Sequence, residues 1–318
     1  MARSAYLIFN PVAGQGDSEK DLETIKSLLE TEISLELEFT SEEVDVAHLV
    51  REAVRRGSEA IIASGGDGTI SAAAEALVGT TIPLGVISRG TANAFANALG
   101  IPDTIEAACQ TILQGYTKTI DVANCNGKPM VLLAGVGFEA EAVEQADRTT
   151  KNRFGVLAYI LSGLQQLQNF KTFDAEIETE DRIIKVLAAA ITIANAAPPT
   201  SILAQGPAGV IYDDGLLDLT IVAPSNTRAA IAASFHLLQT ALAGSATERN
   251  DIGYLRAKRI KLTTNPPQKV TLDGEIIGTT PIEVECIPKG LTVFTPMLEQ
   301  DVPTEKLEGL PNLVIESK

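Results

Sequence analysis

Tryptophan is absent from the 318-residue chain, which has three cysteines, two histidines, three methionines and only 4% aromatic residues. The cysteines (Cys109, Cys125, Cys286) are too few and too widely spaced for a disulfide framework, and with only His48 and His236 beside them no zinc site can be assembled. Basic residues are scarce as well: 25 Lys and Arg stand against 41 Asp and Glu, a formal net charge of −16. A surface of that sign repels nucleic acid and anionic lipid except where its few cations cluster, so nucleic-acid binding is set aside. Long apolar runs are missing too. The most apolar stretches, 186–194 and 229–243, are shorter than the roughly 20 residues of a spanning helix, and the second contains His236 and Gln239. The run Tyr6–Phe9 is too short for the core of a secretion signal and leads at once into polar turn residues. A reducing, cytoplasmic setting is expected, with any membrane contact peripheral at the inner face.

What is present is an ordinary globular composition, 45% hydrophobic and 21% charged, in a chain long enough for two domains. The first third alternates strand and helix signals. Ala5–Phe9 is a compact apolar run, 18–31 carries Leu22, Ile25, Leu28 and Leu29 at helical spacing, 35–39 alternates at period two, and 44–56 reads as helix. Ala60–Ala63 and Ile82–Ile87 read as buried strands, each followed by a glycine turn and a helix, at 70–77 and 92–99. Repeated βα units of this kind predict a doubly wound α/β domain over 1–122. Beyond about Asp121 short strand runs separated by Gly and Asx turns predict a β-sandwich over 123–298, with helices inserted at 155–168 and 227–243. Leu157, Ile160, Leu161, Leu164 and Leu167, or the stripe 229–242, would line an apolar groove or serve as plain core. The charged, proline-containing segment 299–318 is expected at the surface.

The strongest local feature is Gly65-Gly66-Asp67-Gly68-Thr69 between a buried strand and a helix. A lone Gly-Asp-Gly reads as a capped βα turn. In the full pentapeptide the glycines admit a polyphosphate to the backbone, the helix start offers N–H groups to its oxygens, and Asp67 stands where Mg²⁺–nucleotide would be engaged. Neither GxGxxG nor GxxxxGK[ST] follows the first strand, which disfavours a Rossmann site and a P-loop. Asn10-Pro11-Val12-Ala13-Gly14 and Arg89-Gly90-Thr91-Ala92-Asn93 supply two more turns on the same strand ends, where ligands of open α/β sheets collect; Thr91 could cap the helix or touch phosphate. In the second domain Asp273-Gly274-Glu275 is either a hairpin turn or a functional carboxylate, and Asp213-Asp214-Gly215-Leu216-Leu217-Asp218 either a hairpin or an oxygen-rich cation site.

In the order NPVAG, GGDGT, GTAN, DDGLLD, DGE, the chain resembles the diacylglycerol kinase catalytic-domain family, the soluble bacterial lipid kinases of the YegS and DgkB type, over about residues 4 to 296. The resemblance implies an active site between an NAD kinase-like α/β domain and a β-sandwich, an ATP-dependent phosphotransferase, and diacylglycerol or a related lipid as acceptor. It implies that ATP contacts Asn10, Pro11, Val12, Ala13, Gly14, Thr40, Gly65, Gly66, Asp67, Gly68, Thr69, Ile70, Ser71 and Thr91, that Glu275 is the general base with Asp67 beside it, and that a structural Mg²⁺ sits on the Asp214 carboxylate with the main-chain carbonyls of Ile211 and Leu216. Phosphoryl transfer asks for little more than such positioning, a metal and a carboxylate near the hydroxyl. One departure stands out: Ala94 follows Asn93 where the family commonly has Asp. Two other readings stay open. GGDGT also occurs in kinases of soluble substrates such as NAD, and Ala94 is compatible with a nucleotide-binding regulator of weak activity. A homodimer is the default expectation for a soluble protein.

Overall fold

The computed structural model describes residues 3–14, 16–41, 44–137, 172–198, 209–226, 249–297 and 304–317, with Ser201, Ala204, Ala229, Ala232, Ala233 and His236. The chain divides into two compact units, 1–121 with 289–299, and 122–288 with 300–318.

In the first unit β1 (Arg3–Phe9), α1 (Ser18–Leu29), β2 (Ile33–Phe39), α2 (Val46–Arg55), β3 (Ile61–Gly65), α3 (Asp67–Leu77), β4 (Leu84–Ser88), α4 (Ala94–Ala98) and α5 (Ile105–Gln114) follow in turn, and β5 (Thr117–Cys125) leads out. The helix boundaries are written locally. Asp17 and Asp45 accept N–H groups at the starts of α1 and α2, Thr104 caps α5, and Gly115 ends it in the left-handed conformation. The strands lie parallel in the order β4-β3-β1-β2. Leu7, Ile8, Ile61, Ile62, Leu84 and Ile87 are wholly buried, as expected of a parallel sheet covered on both faces. Residues 289–294 return beside β4, with Val293 opposite Leu84.

The second unit continues with β6 (Lys128–Met130), β7 (Leu133–Gly137), β8 (Phe173–Glu178), β9 (Arg182–Ala188), β10 (Ala190–Ala194), β11 (Leu217–Val222), β12 (Ile252–Ala257), β13 (Arg259–Asn265), β14 (Lys269–Leu272), β15 (Glu275–Thr279), β16 (Ile282–Phe294) and β17 (Val314–Ser317). One antiparallel sheet runs β17-β9-β8-β13-β16 and the other β12-β11-β10-β7-β14-β15. Ile177, Ile184, Ile260 and Leu262 from the first share one core with Val136, Ile191, Leu219 and Val270 from the second, which makes the unit a β-sandwich. Along β13 burial alternates residue by residue, the signature of a strand with one wet face.

Several boundaries differ from those the sequence predicts. The run 185–194 reads as one strand but is two, β9 and β10, in different sheets. Three successive alanines, 188–190, mark the crossing, where small side chains let the chain pass between the packed layers. Gly137, at φ +82°, lies under it, since a Cβ there would meet the Ala189 carbonyl at 2.6 Å. Conversely 282–285 and 291–294 are one 13-residue strand, β16. The turn residues Pro288, Lys289 and Gly290 that suggest a break are absorbed in it, with the Lys289 N–H donating to Asp121. Strand β12, which follows a turn at Asn250 and Asp251, is a further strand beyond those the sequence predicts. The terminal segment, expected at the surface, is partly built into the sandwich: Leu307 and Leu310 join its core and β17 pairs with β9. The predicted helix 155–168 lies outside the described residues, as does most of 227–243; Ala229, Ala232, Ala233 and His236 are helical. Among the described residues no helix is long and apolar enough to cross a membrane.

Candidate functional site

The four parallel strands of the first unit deliver their C-terminal loops to one edge. The chain steps from β1 to β2 on one side and from β3 to β4 on the other, so the switch in winding falls between β1 and β3, the position where such sheets bind ligands. Asn10 leaves β1 there, and Gly65 and Gly66 leave β3. Asn10 Nδ2 donates to Thr69 Oγ1 at 2.9 Å, its backbone N–H to the Ser64 carbonyl at 2.9 Å, and its Oδ1 accepts the Val12 N–H at 3.1 Å. The first and second motifs are therefore one bonded unit. Thr69 lies directly over Gly65, where any Cβ would meet its side chain at 2.7 Å. Helix α3 begins on an extended Gly66 with no side-chain cap, which leaves its first turn as an anion-receptive end.

Asp67 does something the sequence did not suggest. Its carboxylate accepts the backbone N–H groups of Asn93 (3.1 Å) and Ala94 (2.6 Å) at the start of α4. It thereby ties the second motif to the third and caps the short helix, a role for which Thr91 was a candidate; Thr91 is exposed. Asn93 holds the left-handed conformation, φ 47°, that its residue type tolerates. A Cβ on Gly90 would lie 3.0 Å from both Gly66 Cα and Asn93 Oδ1, so glycine is what allows the two loops to touch. With two N–H groups accepted, the Asp67 carboxylate retains acceptor capacity, and it fits a role in holding Mg²⁺–nucleotide. Ala94 supplies only a backbone N–H here, so the capping contact survives without a carboxylate at that position.

The remaining predicted contacts divide by exposure. Val12 is 88% exposed and Ile70 only 1%, so Val12 presents a side chain whereas Ile70 has only its backbone to offer. Pro11, Gly14 and Gly68 are exposed, Ala13, Thr40 and Ser71 partly so. The Thr40 N–H bonds the Phe9 carbonyl at 2.9 Å, which sets it level with Asn10 at the adjacent strand end.

Arg89 opens the third motif, and its side chain has a role that the motif reading did not assign. Its side chain is 2% exposed, its Nε donates to Asp21 of α1 at 2.9 Å, its Nη1 donates to the Asn10 carbonyl at 2.8 Å, and its guanidinium covers the Phe9 ring at 4.3 Å. It clamps the first loop from below. The signal in the sequence is a lone arginine closing an apolar strand, where only a paired charge is tolerated.

In the second unit Asp273 and Gly274 both take positive φ, 48° and 92°, the backbone of a type I′ hairpin between β14 and β15. The Asp273 carboxylate is turned inward and accepts the N–H groups of Val131 (2.8 Å), Leu132 (3.0 Å) and Leu133 (2.9 Å). Burial pushes it up to about 6 while those three donors pull it down. The carboxylate of Glu275, first residue of β15, is exposed. Asp273 is thus the structural acid of the turn and Glu275 the available one.

The cation expected on Asp214 with the carbonyls of Ile211 and Leu216 meets a different arrangement. Asp214 Oδ1 accepts the Leu216 N–H at 3.0 Å and its other oxygen is ion-paired with Arg256. Asp218, buried on β11, lies opposite Arg256 of β12 with its Oδ1 3.7 Å from Nε, and accepts the Tyr254 hydroxyl. Asp218 Oδ2, Arg256 Nε and Arg256 Nη2 are buried without a hydrogen-bond partner among the described residues, so the carboxylates of the turn are not fully satisfied by protein donors. Among the described residues no group of three or more Asp, Glu, His or Cys is placed to hold a metal. The three cysteines are buried, and burial pushes the Cys109 thiol up to about 12 and Cys125 to about 11.

Residues 4–125 match the model of the diacylglycerol kinase catalytic domain, and residues 133–295 that of the YegS C-terminal NAD kinase beta sandwich-like domain. An uncharacterized protein of Synechocystis sp. is 51% identical over 306 residues, 93% of this chain and 71% of its own length. The diacylglycerol kinase of Bacillus subtilis is 29% identical over 92% of this chain and 97% of its own. A crystal structure from Bacillus anthracis, provisionally named a diacylglycerol kinase, superposes with a TM-score of 0.79 at 27% identity, over 93% of this chain and 97% of that one. With both domain models matched in order and the α/β and β-sandwich units they describe in place, the chain belongs to the YegS-type diacylglycerol kinase family.

Proposed function

We propose that the protein is an ATP-dependent lipid kinase, transferring the γ-phosphate of ATP to a hydroxyl of diacylglycerol or a related lipid. The observation that carries this reading is the bonded cluster of three loops at the switch point of the first unit, where Asn10, Gly65–Thr69 and Gly90–Ala94 hold one another. In this reading ATP lies on Asn10–Gly14, Thr40, Gly65–Ser71 and Thr91, with phosphate oxygens on the backbone N–H groups at the start of α3. Mg²⁺ brought with the nucleotide supplies charge neutralisation, and Asp67 would hold it. The acceptor hydroxyl oxygen forms the new bond to γ-phosphorus as the bond to the β-phosphate oxygen breaks and ADP leaves. Glu275 takes the hydroxyl proton.

The glycines give a direct test of where the nucleotide sits. Gly65→Ala would drive a Cβ into Thr69 and break its bond to Asn10, so a loss of about 1–3 kcal/mol of stability is expected together with weaker ATP binding. A Cβ on Gly68 meets nothing within 4 Å and belongs to helix α3. Gly68→Ala should therefore hold or raise stability by up to about 1 kcal/mol yet weaken ATP, because the space it fills is where phosphate is proposed. Denaturant melts and nucleotide titration on the two variants separate the effects; unchanged ATP affinity in Gly68→Ala would displace the nucleotide from this helix start.

The reaction is tested with γ-labelled ATP, Mg²⁺ and micelle-dispersed diacylglycerol, monoacylglycerol, phosphatidylglycerol and sphingosine, beside NAD and fructose 6-phosphate. Label in an organic-extractable lipid is the expected result. Label in NAD or the sugar phosphate would make the protein a kinase of a soluble substrate. ATP binding with no labelled acceptor would favour a regulatory protein, the reading to which Ala94 lends support.

A further inference from the structure

Beyond Asn10, the loop 10–14 has no buried side chain: Pro11, Val12 and Gly14 are exposed and Ala13 partly so. Both of its ends rest on Arg89. At one end Nη1 donates to the Asn10 carbonyl at 2.8 Å, the same oxygen that accepts the Ala13 N–H at 3.3 Å, so the guanidinium holds the turn through its first residue. At the other end Gly14 takes φ +93° and passes so close that a Cβ on it would lie 3.2 Å from the Arg89 carbonyl and 3.7 Å from Nη2. The Arg89 N–H donates to the Gly65 carbonyl at 2.7 Å, which ties the same residue to the second loop. Nε is fixed on Asp21 of α1 at 2.9 Å, and the guanidinium lies over the Phe9 ring at 4.3 Å. A single point charge could not make these contacts together, whereas a planar fork can. Nη2 is buried with no hydrogen-bond partner among the described residues, a cost to the fold that stability alone does not explain.

We propose that Arg89 is a positioning residue for the nucleotide: it holds both ends of the loop 10–14 in the shape that receives the phosphates, and so sets the affinity for ATP and not the rate of phosphoryl transfer. Its side chain is 2% exposed, too closed off to reach a ligand, so its effect on ATP passes through Asn10 and Gly14. A loop fixed before binding loses less freedom when the ligand arrives, and the difference appears as affinity. The inference rests on the ATP site proposed for the first unit and extends it to a residue outside the set of ATP contacts.

The test compares the full-length protein with Arg89→Ala and Arg89→Lys by calorimetric ATP titration, by the lipid-kinase assay over a range of ATP, and by thermal melts. In Arg89→Ala the Kd and KM for ATP should rise about 10–100-fold, with kcat at saturating ATP within about threefold of the parent's. Guanidinium ion at tens of millimolar should enter the vacated space beside Asp21 and recover most of the ATP affinity, where sodium ion at the same ionic strength should not. Arg89→Lys keeps a charge for Asp21 but not the fork, so its KM for ATP should rise at least about fivefold at unchanged kcat; it carries the test if the Ala variant does not fold. A residue that only stabilised the fold would lower the melting temperature and leave the Kd and KM of the folded variants at the parent's values, and that result overturns the proposal. A fall in kcat at unchanged KM overturns it too. If the parent binds ATP but labels no acceptor, the shift in Kd decides alone. If the parent binds no ATP, the kinase reading falls and this inference with it; if the parent binds ATP and the folded variants match it, the inference falls by itself.

Discussion

Turnover of the lipid should fall by about 10²–10⁴-fold in Glu275→Gln, with the affinity for ATP held within about twofold. In the proposed reaction this carboxylate removes the proton from the attacking hydroxyl, and the amide cannot. The substitution is clean for structural reasons. Glu275 opens β15 with an exposed side chain, and its cross-strand partner is Leu272, so the hairpin is held by backbone and by Asp273. A stability change within about 0.5 kcal/mol is expected, and a denaturation curve beside the radiolabel assay separates a dead enzyme from an unfolded one. Turnover equal to the parent's would take the role of base away from Glu275 and leave the three-loop nucleotide site untouched.

Asp273→Ala should cost about 3–5 kcal/mol of stability, since three backbone N–H groups lose their acceptor at once and alanine must hold φ near 48°. Asp273→Asn keeps the backbone preference and one acceptor oxygen, so about half that loss is expected. The pH dependence distinguishes the two acids of the DGE turn. Burial raises Asp273 from 3.8 in the unfolded chain to about 6 in the fold, so the folded state binds its proton more tightly. The unfolded chain therefore binds fewer protons between about pH 4 and 6, and this group makes the fold less stable as pH rises through that window, with no further change above it. The stability difference between wild type and Asp273→Asn should accordingly shrink from pH 4 to 6 and be level from 6 to 8. Urea melts at three pH values measure it. A difference that is flat across the whole range would mean that the three donors cancel the burial and leave Asp273 at its unfolded value, and one that widens with pH that they outweigh it.

The two units were legible in the sequence because each rests on short-range periodicity. Apolar runs such as Ile61–Ala63 and Leu84–Ile87 followed by glycine turns and amphipathic helices describe a parallel sheet, while strictly alternating segments such as 259–265 describe a sandwich face. The order of the five motifs was equally legible, since a Gly-rich turn at a strand end announces itself by composition. Where one strand ended and another began was less so. The alanines at 188–190 look like an uninterrupted strand, and only the presence of two sheets to join makes them a crossing.

The sequence by itself determined that this chain forms an α/β unit followed by a β-sandwich, and it named the loops and acids from which a site would be built. The tertiary structure decided what each acid does. Asp67 and Glu275 were chosen as functional carboxylates, but only the fold shows that Asp67 caps α4. Asp273 shares its tripeptide with Glu275, yet only the fold shows it holding three N–H groups of 131–133. Asp214 and Asp218 share a turn with Arg256, 42 residues after Asp214, only because β11 and β12 pair in the fold. The physical reason is the same in each case. A carboxylate's role is set by the donors and charges within hydrogen-bond reach, and here those come from backbone N–H groups and strand partners far away in sequence, which residue type and spacing do not encode.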